Sequence, residues 1–286
     1  VYIADTWNHR VRRIDRAGII TTIAGNGVVP VSYSQLGEGG PATSAAVFAP
    51  QDVAVGVGGS VLISCFDTNG SSFGWLRRVG TDGLITTLVK NFGPGGIDTD
   101  AQGSVYYTDT VNTHFVKRIN SSGVVQLIAG GNQTGIGGAT VLSNPYDVVV
   151  DRDGGVLVIE RGAHRIRRFR QNQPIETLIG TGTAGPALDY QSAISATLNQ
   201  PTGIALGPEG DLYLTDFGNR RVRRVSSYFP GLSGATTLRV ASDDASMVYE
   251  FDLSGRHLRT VHATTGVTLV AFGYDSQGRV STITDG

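Results

Sequence analysis

The 286-residue chain has one cysteine, Cys65, and a lone thiol excludes any disulfide within the chain. No run of residues is long and apolar enough to span a bilayer. No segment is both long enough and amphipathic enough to make a core helix, which excludes the helical and α/β classes. Charge is balanced: 23 Lys and Arg oppose 24 Asp and Glu, for a formal net charge of −1. That balance gives no general attraction to nucleic acid or to an anionic membrane. Glycine is what the chain has in excess. Its 40 glycines, with 10 prolines, suit frequent tight turns.

A phrase repeats through that glycine-rich background: an apolar strand ending in an acid, a polar turn, then two basic residues between β-branched or aromatic ones. It reads Val1–Asp5 then Val11-Arg-Arg-Ile14, Val61–Cys65 then Leu76-Arg-Arg-Val79, and Val105–Asp109 then Val116-Lys-Arg-Ile119. It returns as Val156–Glu160 with Ile166-Arg-Arg-Phe169, and as Leu212–Asp216 with Val222-Arg-Arg-Val225. The second basic residues fall at Arg13, Arg78, Arg118, Arg168 and Arg224, a base period of roughly 40 to 50 residues with insertions between strands. Each copy must bury its apolar face against the next.

Four strands are expected per full copy. An inner one starts two residues after Pro50, Pro94, Pro145 or Pro201, and the acid-ended and basic strands follow it. A fourth lies at Ile19–Ile23, Leu84–Leu88, Val124–Ile128 or Ile175–Ile179, and the fifth copy's is to be sought in Ala235–Ala241. Short antiparallel strands in fours predict propeller blades. The sequence opens at Val1 inside the second strand of the first copy, without an initiator Met, so a fragment holding an incomplete propeller is expected.

The residues Ile3-Ala-Asp5 and Asn8-His-Arg-Val-Arg12, echoed at Thr215-Asp216 and Asn219-Arg-Arg-Val222, resemble the signature of the NHL repeat. The linker Gly37–Ala45 is similar to a blade connector of extracellular NHL propellers. From about Leu238 the phrase changes: Phe251-Asp-Leu-Ser-Gly-Arg256 recurs as Tyr274-Asp-Ser-Gln-Gly-Arg279. This resembles the YD or Rhs repeat, a hairpin unit that builds a hollow β-shell. The order of the two modules resembles teneurins and teneurin-like Rhs proteins. The expected organisation is therefore an all-β chain. Residues 1–237 form an NHL β-propeller, six-bladed in full length, and residues 238–286 begin a YD/Rhs shell as antiparallel hairpins. Phe251, Leu253, Leu258, Leu269 and Phe272 are expected to leave an underburied apolar face on that second module.

The resemblance implies an extracellular or cell-surface interaction module, active in adhesion or recognition. Its partners would be protein or glycan together with the rest of its own YD/Rhs shell. No nucleic acid partner is expected, and membrane attachment would come only through regions outside this sequence. The competing readings are an RNA-binding NHL domain and a propeller enzyme of the lyase or lactonase type. The first needs a basic face with interleaved aromatics. The second needs acids and histidines converging from several inner strands. Yet Ala54, Val149 and Ala205 stand where Asp98 does in the third copy, and no histidine lies on those strands. No catalytic residue, cofactor-binding residue, cofactor or metal ligand is assigned.

Several patterns imitate chemistry. Gly70-Ser-Ser-Phe-Gly74 fits a nucleophile elbow but lies in a hairpin, and Gly180–Gly185 fits a dinucleotide loop but reads as a blade connector. His9, His114 and His164 share one hairpin position in three copies, too far apart to hold one ion. Asp52, Asp98, Asp100, Asp147 and Asp151 could offer a calcium site, but capping of backbone amides is the expected role. Cys65 holds an acid's place and should be buried. The acids Asp5, Asp109, Glu160 and Asp216 should pair with the arginines of the basic strands. Sequons at Asn69, Asn120 and Asn132 fall on turns or linkers.

Overall fold

The computed structural model describes all residues except 30–35, 67–73, 111–113, 132, 133, 136, 137, 140, 172, 174, 190, 208, 209, 226–236, 243, 245, 253, 254 and 276. It is built of antiparallel sheets and short 3-10 turns, with no α-helix among the described residues. The chain divides into two compact units, Val1–Ala205 with Tyr213–Arg223, and Leu206–Leu212 with Arg224–Gly286.

The first blade holds β1 (Tyr2–Asp5), β2 (Arg10–Ile14) and β3 (Ile20–Ala24), paired in sequence order. The second has β4 (Pro50–Val55), β5 (Val61–Phe66), β6 (Gly74–Val79) and β7 (Ile85–Phe92). The third has β8 (Pro94–Thr99), β9 (Val105–Asp109), β10 (Phe115–Ile119) and β11 (Val125–Gly130). Two short strands, β12 (Thr134–Gly135) and β13 (Gly138–Ala139), lie in the linker. The fourth blade is β14 (Pro145–Val150), β15 (Val156–Glu160), β16 (Arg165–Phe169) and β17 (Glu176–Ile179), and the fifth is β18 (Gly203–Leu206), β19 (Leu212–Asp216) and β20 (Arg221–Val225).

The inner strands β4, β8 and β14 begin at the proline itself, two residues earlier than expected. A register shift just past each proline accounts for the difference. The fifth blade corrects a second expectation. β21 (Thr237–Ala241), in the stretch expected to close that blade, pairs with β22 (Met247–Asp252) in a different sheet. That sheet continues through β23 (His257–His262), β24 (Thr268–Tyr274) and β25 (Val280–Asp285) as a five-stranded meander.

Packing follows the strand alternation. Residues one apart point to opposite faces, so a blade apolar on both can be sandwiched between its neighbours. Ile63, Cys65 and Trp75 of the second blade pack with Val11 and Ala24 of the first. On the other face Leu62 and Leu76 pack with Ile97, Tyr107 and Ile119 of the third. Tyr106 and Val116 of the third then meet Val148, Val158 and Phe169 of the fourth.

In the five-stranded sheet, Asp252 and Asp275 open identical turns. Each carboxylate accepts the amide of the arginine four residues on, Arg256 or Arg279, at 2.9 Å, while Gly255 and Gly278 take φ of 87° and 75°. Phe251, Leu258 and Phe272 are half-buried and Leu269 is exposed, while Leu253 lies outside the described residues.

Candidate functional site

The repeat's two basic residues lie on opposite faces of the blade and have different partners. The first points at the acid that closes the preceding strand. Arg12 lies 3.7 Å from Asp5, Lys117 3.2 Å from Asp109, and Arg223 3.7 Å from Asp216. Glu160, with no exposure, takes Arg165 at 2.6 Å and Arg167 at 3.8 Å. Each of the repeat's three buried acids also accepts a backbone amide where the chain enters its own blade: Asp109 from Gly93, Glu160 from Ser143 and Asp216 from Asn199. A buried carboxylate with a charged partner and an amide donor is stable where an unpaired one would not be. The second basic residue turns to the hairpin that joins the inner strand to the next. Arg168 binds Asp151 there, and Arg224 binds Asp211 at 2.6 Å.

The second blade is the exception to the first rule. Cys65 replaces the acid and is fully buried, and that burial pushes its thiol up to about 12. Arg77, 1% exposed, donates to the carbonyls of Ala46 and Leu36 at 3.3 and 3.1 Å. Its counter-charge comes from the connector: Glu38 lies 3.6 Å away and accepts both the amide and the hydroxyl of Thr87. Burial pushes Glu38 up, but the Thr87 bonds and the Arg77 charge outweigh it and hold the carboxyl below its ordinary value.

The inner-strand aspartates are bolts between blades. Asp52 accepts the amide of Ile97, Asp98 that of Val150 and Asp147 that of Ile204, at 2.7–2.8 Å, each in the following blade. The other oxygen of each accepts the next residue's own amide. An inner strand has no further strand to pair with on its open edge, and these carboxylates satisfy the amides left there. Hydroxyls do the same for its carbonyls: Ser64 donates to Gly95 and Thr108 to Tyr146, again one blade on. The blades approach so closely that a Cβ on Gly96 would sit 1.7 Å from Asp147 Oδ1, which is why a glycine stands there.

Desolvation raises all three carboxyls, and neighbouring carboxylates add to it. Burial pushes Asp52 up to about 6, with the Asp98 charge adding to it. Burial likewise raises Asp98, and it raises Asp147 well above its ordinary value, with the Asp52 charge next in weight. Asp100 and Asp151 cap turn amides, as expected.

The histidines are not brought together. His9, His114 and His164 adopt left-handed φ of 49–52° at equivalent hairpin positions. Nδ1 of His9 accepts the amide of Ala49 at 3.1 Å, and Nδ1 of His164 that of Gln200 at 3.0 Å, each just before the next blade's proline. Among the described residues no group of three or more His, Cys, Asp or Glu is arranged to hold a metal ion. Residues 70–73 of the elbow-like pattern, and the sequons at Asn69 and Asn132, lie at least partly outside the described residues. Asn120 sits in a turn, its side-chain oxygen accepting the amides of Ser122 and Val124. Gly180–Gly185 is a connector whose amides bond to Ala193, Ala196 and Leu198.

Sequence reasoning found the acid-to-base pairs but missed three features: the forward bonds of the inner aspartates, the histidine bolts, and Glu38. A signal for the last was present, since Glu38 lies in the connector before the one blade that lacks its acid.

These blades define an NHL-type β-propeller. A family profile described as the NHL repeat matches residues 198–224, the hairpin carrying Asp216 and Arg223. The whole chain is 26% identical to teneurin-3 of Mus musculus and 99% of it is 26% identical to teneurin-1 of Gallus gallus. Its full length is also 23% identical to teneurin-m of Drosophila melanogaster. The NHL region of this chain is thus teneurin-like. The chain spans 12% of the length of those relatives. Among solved structures, a streptogramin B lyase aligns at 12% identity over 98% of this chain and 85% of that one, with a TM-score of 0.49. A likeness that distant carries no assignment of function.

Proposed function

We propose that this chain is a rigid, non-catalytic recognition module of a large cell-surface or secreted protein, binding protein or glycan partners outside the cell. One observation supports this most. The carboxylates and imidazoles nearest the inner strands are engaged with amides of neighbouring blades, an arrangement that fixes a surface in place rather than holding an acid and a base ready for a substrate. The teneurin-like NHL region points the same way. We place the change of module at residues 237/238. The recurring Asp252 and Asp275 turns, with Arg256 lying 5.5 Å over the Tyr274 ring, support reading residues 238–286 as the start of a YD/Rhs shell.

The test is adhesion of beads coated with the chain to intact cells, before and after trypsin or glycosidase treatment of those cells. Binding that survives neither mild protease nor its own competition by soluble chain supports the proposal for a protein partner, and loss with glycosidase supports it for a glycan. Beads that adhere no better than albumin-coated ones would contradict it.

A further inference from the structure

The repeat's second basic residue is normally answered by an acid in its own inner hairpin: Asp151 for Arg168 and Asp211 for Arg224. In the third blade Arg118 lies 5.9 Å over the Tyr106 ring, and the Tyr106 hydroxyl donates to Asp100. In the second blade the places equivalent to Asp151 and Asp211 are Gly56 and Ser60, neither of them an acid. Arg78 is retained there, exposed, and its guanidinium makes no hydrogen bond or ion pair with any described residue. The neighbouring Arg77 recovers a counter-charge from Glu38, but Arg78 does not. The second blade has kept a base and lost its acid.

Arg78 lines a groove of about 170 Å³ between the second and third blades, with Val57, Leu62, Leu88, Val105 and Ile119. Val57 is 62% exposed and Leu88 37%, so apolar surface stands beside the free guanidinium. The volume lies below the roughly 300–1,000 Å³ of small-molecule sites and suits one or two side chains. A guanidinium takes a carboxylate through two parallel N–H donors, and its strength grows where apolar neighbours exclude water. A sulfated polysaccharide would need a row of cations, whereas this lining offers one guanidinium among aliphatic side chains and hydroxyls.

We propose that this groove is a docking site for an acidic segment of a partner protein, in which a Glu or Asp beside an apolar residue supplies to Arg78 the carboxylate that Gly56 does not. This rests on the recognition-module reading and names the chemistry of its partner.

The test selects short random peptides displayed on phage against the whole chain, then measures the labelled peptides by fluorescence anisotropy. Selected peptides should share an acid next to an apolar residue. R78E should weaken their binding at least about tenfold, and changing the peptide's acid to Lys should restore it on R78E. G56D should weaken binding as well, because it rebuilds the acid that engages Arg78; the Asp100–Ser104 pair of the third blade shows that an acid fits with serine four residues on. R78Q serves should R78E fail to fold. Peptides without an acid, acidic peptides that bind R78E and G56D as tightly as the parent chain, or binding only to heparin would each overturn the proposal. If bead adhesion persists in R78E, the groove fails and the module reading stands. If the parent chain shows no adhesion, the module reading itself fails.

Discussion

At the scale of single residues, position in the repeat decides what a charge does. Arg77 is buried beside a cysteine where other blades supply an acid, so its stability depends on Glu38, 49 residues before its other partner Thr87. Glu38→Ala removes that counter-charge and strands the Thr87 amide. It should destabilise the fold by about 1–3 kcal/mol in urea unfolding, the partial exposure of Glu38 keeping the loss below that of a fully buried pair. Glu38→Gln, which keeps one acceptor, should cost less; equal costs for the two variants would show that the bonds to Thr87 are irrelevant, and a Gln variant as stable as the parent would show that the charge is. The acid-to-base pairing was legible in the sequence because both members recur at fixed spacing. Glu38 was legible only indirectly, through the missing acid of its blade, because it compensates one blade only and so has no period.

At the scale of elements, blades are joined by side chains that reach forward. His164 occupies a left-handed backbone position and its Nδ1 accepts the Gln200 amide. His164→Asn keeps an acceptor and tolerates that backbone, whereas His164→Ala loses both. Alanine should therefore cost about 1–2 kcal/mol more than asparagine in chemical denaturation, and equal costs would deny the bolt. The aspartates give a pH signature. The folded protein holds a proton on Asp52 near pH 6, and the unfolded chain releases it near the ordinary 3.8. The stability this carboxyl contributes is therefore complete below about pH 4 and lost as pH rises through about 6. Parent minus Asp52→Asn stability should become more favourable by about 2 kcal/mol from pH 7.5 to pH 4.5. A difference that is flat, or that falls with acidification, would refute the assignment. These bonds were invisible to strand patterning, which orders residues along a blade but does not say which blade an edge carboxylate will reach.

At the scale of the whole molecule, the period of the charged phrase announced the blades, and the change of phrase announced a different sheet. The pairing of β21 with β22 was not legible, because a five-residue strand of Thr, Leu, Arg, Val and Ala suits either sheet and only its neighbours decide. The account holds that the repeat's acids hold each blade together and that recognition belongs to the surface they support. Glu160 separates these most directly, being fully buried with Arg165, Arg167 and the Ser143 amide around it. The measurement is unfolding free energy together with bead adhesion for Glu160→Gln. The account predicts a loss of about 3 kcal/mol in stability with unchanged adhesion per folded molecule. Unchanged stability with adhesion abolished would contradict it.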